Sequence, residues 1–92
     1  MKPWIKLKTV KDRLGYSDED QDPDLYRCLI EAQQVVCDYI EQPSDFYDTG
    51  LPLHIETAIL FVIDNIKHRP QTDPISEAVK SLLMRTRVPI AL

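Results

Sequence analysis

The stretch LPLHIETAILFVIDNIKHRP, residues 51–70, decides how the rest of the chain is read. It is far more apolar than the acidic sequence around it. Such a segment can be a membrane span, a catalytic helix or the central helix of a small core. Its longest unbroken apolar run is Ala58 to Ile63, and a bilayer needs about 20 residues. Advancing about 100° per residue brings Ile55, Ile59, Val62 and Ile66 onto one stripe. Ala58 and Ile63 widen that stripe on either side. The segment therefore reads as a helix over about 52–69, begun at Pro52 and stopped by Pro70, with its stripe in the core. Two apolar residues fall off the stripe: Leu60, between Glu56, Asp64 and Lys67, and Phe61, beside His54, Asn65 and His68.

A second long helix precedes it. DPDLYRCLIEAQQVVCDYIEQ opens with Asp22 as a candidate N-cap and Pro23 in the first turn, and runs over about 22–42. Leu25, Leu29, Ala32, Val36 and Ile40 recur at helical spacing and form its core stripe. A thinner strip of Tyr26, Ile30 and Cys37, with Gln33 among them, lies beside it. Off-stripe residues such as Tyr26, Ile30, Cys37, Leu60 and Phe61 are ordinary surface positions or contacts with another subunit. TVKDRLGY reads as a short helix with Thr9 as N-cap and Gly15 beyond its end. TDPISEAVKSLLMRTR reads as a last helix started at Asp73 and Pro74, with Ile75, Val79, Leu82 and Leu83 inward. WIKLK alternates briefly, but a lone strand has no partner. The expected fold is all-α, a small bundle of about four helices in one domain over 1–92, ending in an extended tail at 88–92.

Composition narrows the function classes. The chain has 92 residues, 43% hydrophobic and 28% charged, with a net charge of −4. That charge argues against a free-standing binder of duplex DNA, which needs a basic face to neutralise phosphates. Cys28 and Cys37 lie nine positions apart on one helix, a rise of about 13 Å. A disulfide needs Cα atoms within about 7 Å, so the two read as reduced thiols. No secretory signal pattern is visible at the N-terminus.

Catalytic and metal-binding patterns are weak. His54-x-Glu56 matches half of a zinc-deaminase signature, but the P-C-x-x-C half is missing. His54 and His68 share a helix face, yet stand about 21 Å apart along the axis. SDEDQDPD packs acids as a calcium loop does, but has no glycine at the sixth position and Leu29 at the twelfth. No phosphate-cradling glycine loop or nucleophile elbow occurs. The sequence reads as a non-enzyme without cofactor or metal.

Three blocks resemble a known family. TVKDRLGYSDEDQDPDLYRCLIEAQQVVCDYIE is similar to the opening of the small head–tail connector, or adaptor, proteins of tailed bacteriophages. There a short V-K-x-x-L helix and an acidic loop lead into a long L-x-x-x-L-I-x-A-A helix. LPLHIETAILFVIDNIKHR resembles their Pro-started apolar helix, and ISEAVKSLLMRTR resembles their closing block. The resemblance covers Thr9 to Arg87, and the order and separation of the blocks carry it. It departs from the family where QPSDFY replaces an aromatic-Thr-Gly-Arg stretch and where Thr86-Arg87 replaces Tyr-Arg.

The resemblance implies a non-enzymatic virion protein at the head–tail junction, assembled in the host bacterial cytoplasm. It implies a ring, about twelve-fold, docked under the portal protein, extending the DNA channel and offering a platform for head-closure and tail proteins. Tyr26, Ile30, Cys37, Leu60 and Phe61 then become candidate subunit-interface residues. Arg85, Arg87, Val88, Ile90 and Leu92 become a candidate tail that docks on a partner, with fold-back onto its own subunit as the alternative. A small helical DNA-binding or regulatory domain is the competing reading. It requires a basic recognition helix, and only Lys80, Arg85 and Arg87 cluster.

Overall fold

A computed structural model describes residues 2–43, 46–47 and 50–84. Four α-helices fold into a small all-α bundle: α1 (Leu7–Leu14), α2 (Asp22–Ile40), α3 (Leu53–His68) and α4 (Glu77–Leu83). A short 3-10 turn, Glu19–Gln21, leads into α2. No strand occurs among the described residues.

The most extensive packing is between α2 and α3. Leu25, Leu29, Ala32 and Val36 of α2 and Ile55, Ala58, Ile59, Val62 and Ile63 of α3 have no exposed surface and belong to one apolar cluster. Lys67 in the last turn of α3 meets Asp24 in the first turn of α2 at 2.8 Å, so the two helices run antiparallel. Helix α1 packs on both of them and contributes Val10. Helix α4 packs on α3 through Val79 and Leu83.

The helix boundaries correct several expectations. Thr9 is not a cap: α1 begins at Leu7, and Lys6 precedes it in extended conformation. Gly15 ends α1 as expected, with φ of 81°, and the N–H groups of Gly15 and Tyr16 both reach the Lys11 carbonyl. Asp22 is helical rather than a cap, because the 3-10 turn carries the start back to Asp18, whose side chain accepts from the Asp20 N–H. Helix α2 ends at Ile40, short of Gln42, where Glu41 turns left-handed with φ of 60°. Helix α3 lies within the expected span, with Pro52 as N-cap and a boundary at Arg69. Asp73 and Pro74 do not start α4. Asp73 instead accepts from the Ile75 N–H in a local turn, and Ser76 caps the helix by accepting from Val79 N. The side chain competed locally for a backbone donor and delayed helix entry by a few residues.

The core assignment holds for Ile59 and Val62, but Ile66 is only partly buried and packs at the margin. It sits near the end of α3, where fewer neighbours cover it. Ile59→Ala should cost about 2–5 kcal/mol, because a closed core cannot fully collapse around the lost atoms. Urea unfolding measures this, and a loss below about 0.5 kcal/mol would contradict the face assignment.

Candidate subunit interface

The five candidate interface residues divide into two groups. Leu60 is 5% exposed and Cys37 is 2% exposed, so the isolated subunit already buries both. Their placement outside the core is corrected. Leu60 is covered because α1 lies along that side of α3: Leu14 and Arg13 line a groove with Thr57, Leu60, Phe61 and Asp64. Tyr26 and Phe61 remain open, at 43% and 46%, and Ile30 is half-buried. Tyr26 and Ile30 are one turn apart on α2 and share a face. Arg85, Arg87, Val88, Ile90 and Leu92 lie outside the described residues.

Gln33 is the residue whose role the sequence concealed. It is fully buried on the thin strip of α2, where an unpaired amide would be costly. Both ends of the amide are used. Its Oε1 accepts from the Trp4 backbone N–H at 2.6 Å, and its Nε2 donates to the Lys2 carbonyl at 2.9 Å. The two contacts straddle Pro3, which has no N–H to satisfy. The N-terminal segment is thereby fastened to α2, with Ile5 buried and Trp4 packed edge-on against Tyr47 at 5.0 Å. The available signal was a lone uncharged polar residue within an apolar strip.

Charged groups stitch the helix ends together. Lys11 pairs with Asp22 at 2.8 Å and Arg13 with Glu56 at 2.9 Å. Asp24 receives Lys67 and Arg27, and Arg27 also reaches Glu31. The Lys67 hydrogen bond, followed by that of Arg27, holds the Asp24 carboxyl below its ordinary range. The same Asp24 contact raises the Lys67 ammonium. The Tyr16 hydroxyl is 3.0 Å from His68 Nε2, and Lys67 lies over the Tyr16 ring. These are mostly exposed contacts that orient helices more than they stabilise them.

The residues that suggested chemistry serve local structure. Asp18 caps the 3-10 turn and Asp22 pairs with Lys11, so two acids of the calcium-like loop are engaged. Glu56 of the H-x-E pair is held by Arg13. No three potential ligands among the described residues converge on a metal-sized point. Both cysteines are free and buried. Burial, with Asp38 nearby, pushes the Cys37 thiol up to about 11, and burial likewise raises Cys28. Both are therefore thiols, not thiolates, at neutral pH.

Comparison with family models, curated proteins and solved structures returns no match. No helix among the described residues is long and apolar enough to cross a membrane.

Two outcomes test this geometry. Gln33→Ala leaves the Trp4 N–H and the Lys2 carbonyl without their partner, and should cost about 1–3 kcal/mol in chemical unfolding. Loss of hydrogen-exchange protection at the Trp4 amide should accompany it. The unfolded thiol ionises near 9.0 and the folded Cys37 near 11. The native state thus holds the proton more tightly, and its stability should fall as pH rises from about 9 towards 11. Melting temperatures across that range measure the slope, which Cys37→Ala should flatten.

Proposed function

We propose that this chain is a structural virion protein, a ring-forming head–tail connector that sits below the portal of a tailed bacteriophage. The observation that carries this reading is the order of the three sequence blocks between Thr9 and Arg87. In the described structure these blocks supply a short helix, an acidic turn, two long antiparallel helices and a short closing helix. The ring extends the DNA channel and presents a platform for head-closure and tail proteins. Its role is architectural, with no reaction, cofactor or metal.

Two features support self-assembly. The subunit leaves Tyr26 exposed and Ile30 half-exposed on α2, and Phe61 exposed on α3. Two different patches that meet between copies make a head-to-tail contact, which closes into a ring when the rotation permits. The negative charge suits a channel wall through which DNA must slide, since each added phosphate contact strengthens binding.

The direct experiment adds purified protein to portal-bearing heads that lack a connector and images the product by electron microscopy. A ring on the portal is the expected result. Failure to associate with heads, together with a band shift of duplex DNA at moderate salt, would favour a small DNA-binding domain. Ile30→Asp and Phe61→Asp should each preserve helicity and change stability little, yet lower ring formation at least tenfold. Leu60→Asp should instead unfold the subunit, because that side chain is internal. Normal ring yield from both exposed-site variants would remove Ile30 and Phe61 from the interface.

A further inference from the structure

The antiparallel pair α2–α3 carries an apolar patch on each of its outer sides, and the two face opposite ways. At about 100° per residue, Ile30 lies about 130° around α2 from the centre of the Leu25–Val36 stripe. Phe61 likewise lies about 130° around α3 from the centre of the Ile55–Ile63 stripe. The two stripes pack together in the core, so Ile30 points away from α3 and Phe61 points away from α2. Tyr26, one turn before Ile30 and 43% exposed, forms a ridge with it. Phe61, 46% exposed, lies in a groove of about 350 Å³ with Thr57, Asp64 and the α1 residues Arg13 and Leu14. In a two-fold dimer the same patch of both copies meets itself, so a ridge and a groove on opposite sides cannot fill one another. They suit a head-to-tail contact that repeats around a ring.

We propose that the Tyr26–Ile30 ridge of one copy of this chain seats in the Phe61 groove of the next, in a ring whose axis runs along α2 and α3, with Arg27 against the next copy's Asp64. The proposal rests on the self-assembly in the connector reading and names the contact that makes it. Register carries it. Asp24 meets Lys67 at 2.8 Å within the subunit, which sets the height of α3 against α2. The helices are antiparallel, so each step forward from Asp24 is matched by a step back from Lys67. Arg27 is therefore level with Asp64, Ile30 with Phe61, and Gln34 with Thr57. Rotation about an axis along the helices leaves those heights unchanged. The neighbouring copy thus brings its groove to the ridge with Ile30 opposite Phe61 and a cation opposite an anion.

The charges are available for this contact. The Arg27 side chain is 62% exposed and that of Asp64 41% exposed. Arg27 holds Asp24 and Glu31 in its own subunit, and its five N–H donors leave room for a third carboxylate. Asp64 has His68 beside it at 3.7 Å, a longer pairing than a guanidinium would give. The apolar ridge supplies the contact area, and the Arg27–Asp64 pair selects its register.

The test reverses the charges one at a time. Arg27→Glu and Asp64→Arg should each lower assembly at least tenfold in sedimentation of the concentrated protein, with helicity unchanged. An equal mixture of the two variants should assemble again, because every contact in an alternating ring then pairs opposite charges. The doubly reversed chain should assemble for the same reason. A second readout uses Gln34→Cys with Thr57→Cys in one chain, where oxidation should give a ladder of copies joined between positions 34 and 57. The wild-type protein is the control, since Cys28 and Cys37 are buried. Normal assembly of both single variants, or no recovery in the mixture and the double variant, would overturn the proposal. So would 34–34 or 57–57 links in place of 34–57 links, or no ladder in the isolated protein and in any ring formed on heads. A 34–57 ladder without rings on heads would remove the connector reading and keep this contact, whereas rings on heads without 34–57 links would do the reverse.

Discussion

The structure depends on the apolar contact between α2 and α3. Those two helices supply most of the fully buried side chains, and α1 packs against both of them while α4 packs against α3. Each residue from Leu25 to Val36 and from Ile55 to Ile63 that is sealed there loses all contact with water. Burial of one such Leu, Ile or Val side chain contributes about 1.5–3 kcal/mol before chain entropy is subtracted. A domain of this size has a small margin after that subtraction. The remaining elements therefore act chiefly by closing the edges of this contact.

Polar groups fix the geometry that the apolar contact leaves free. Hydrophobic burial is non-directional, so it does not set the stagger of two helices. Asp24 and Lys67 pin one end of the antiparallel pair, and Lys11 with Asp22 brings α1 onto the start of α2. Gln33 does the same for the N-terminal segment, through two hydrogen bonds to backbone rather than to a side chain. It holds peptide groups on both sides of Pro3, so it recognises backbone rather than a particular side chain. The clamp thereby holds the segment before α1 against the bundle, where Ile5 is buried.

What the bundle leaves open has a bearing on assembly. After α1 has covered Leu60, Phe61 still faces outward, and Tyr26 with Ile30 stays outside the α2–α3 seam. Among the described residues no other element covers Tyr26 or Phe61. Another subunit supplies the missing cover in the reading proposed above.

Sequence periodicity alone determined that the chain is all-α, and it located all four helices to within a few residues. Apolar spacing at 3.6 residues survives whatever packs against it, so the stripes of α2 and α3 could be read directly. Gly15 was legible for a similar reason, since its backbone conformation is local. The resemblance to connector proteins also rests on that spacing and on block order, which is why it reaches function only as an implication. Tertiary structure alone decided the status of Leu60, Cys37, Ile66 and Gln33. A helical wheel gives the direction of a side chain but not the presence of a neighbour. Leu60 went inside because α1 crosses its side of α3, and Ile66 stayed at the margin because cover thins near the helix end. Gln33 could be buried because a backbone segment 29–31 positions away satisfied both halves of its amide. No local pattern encodes a partner at that separation.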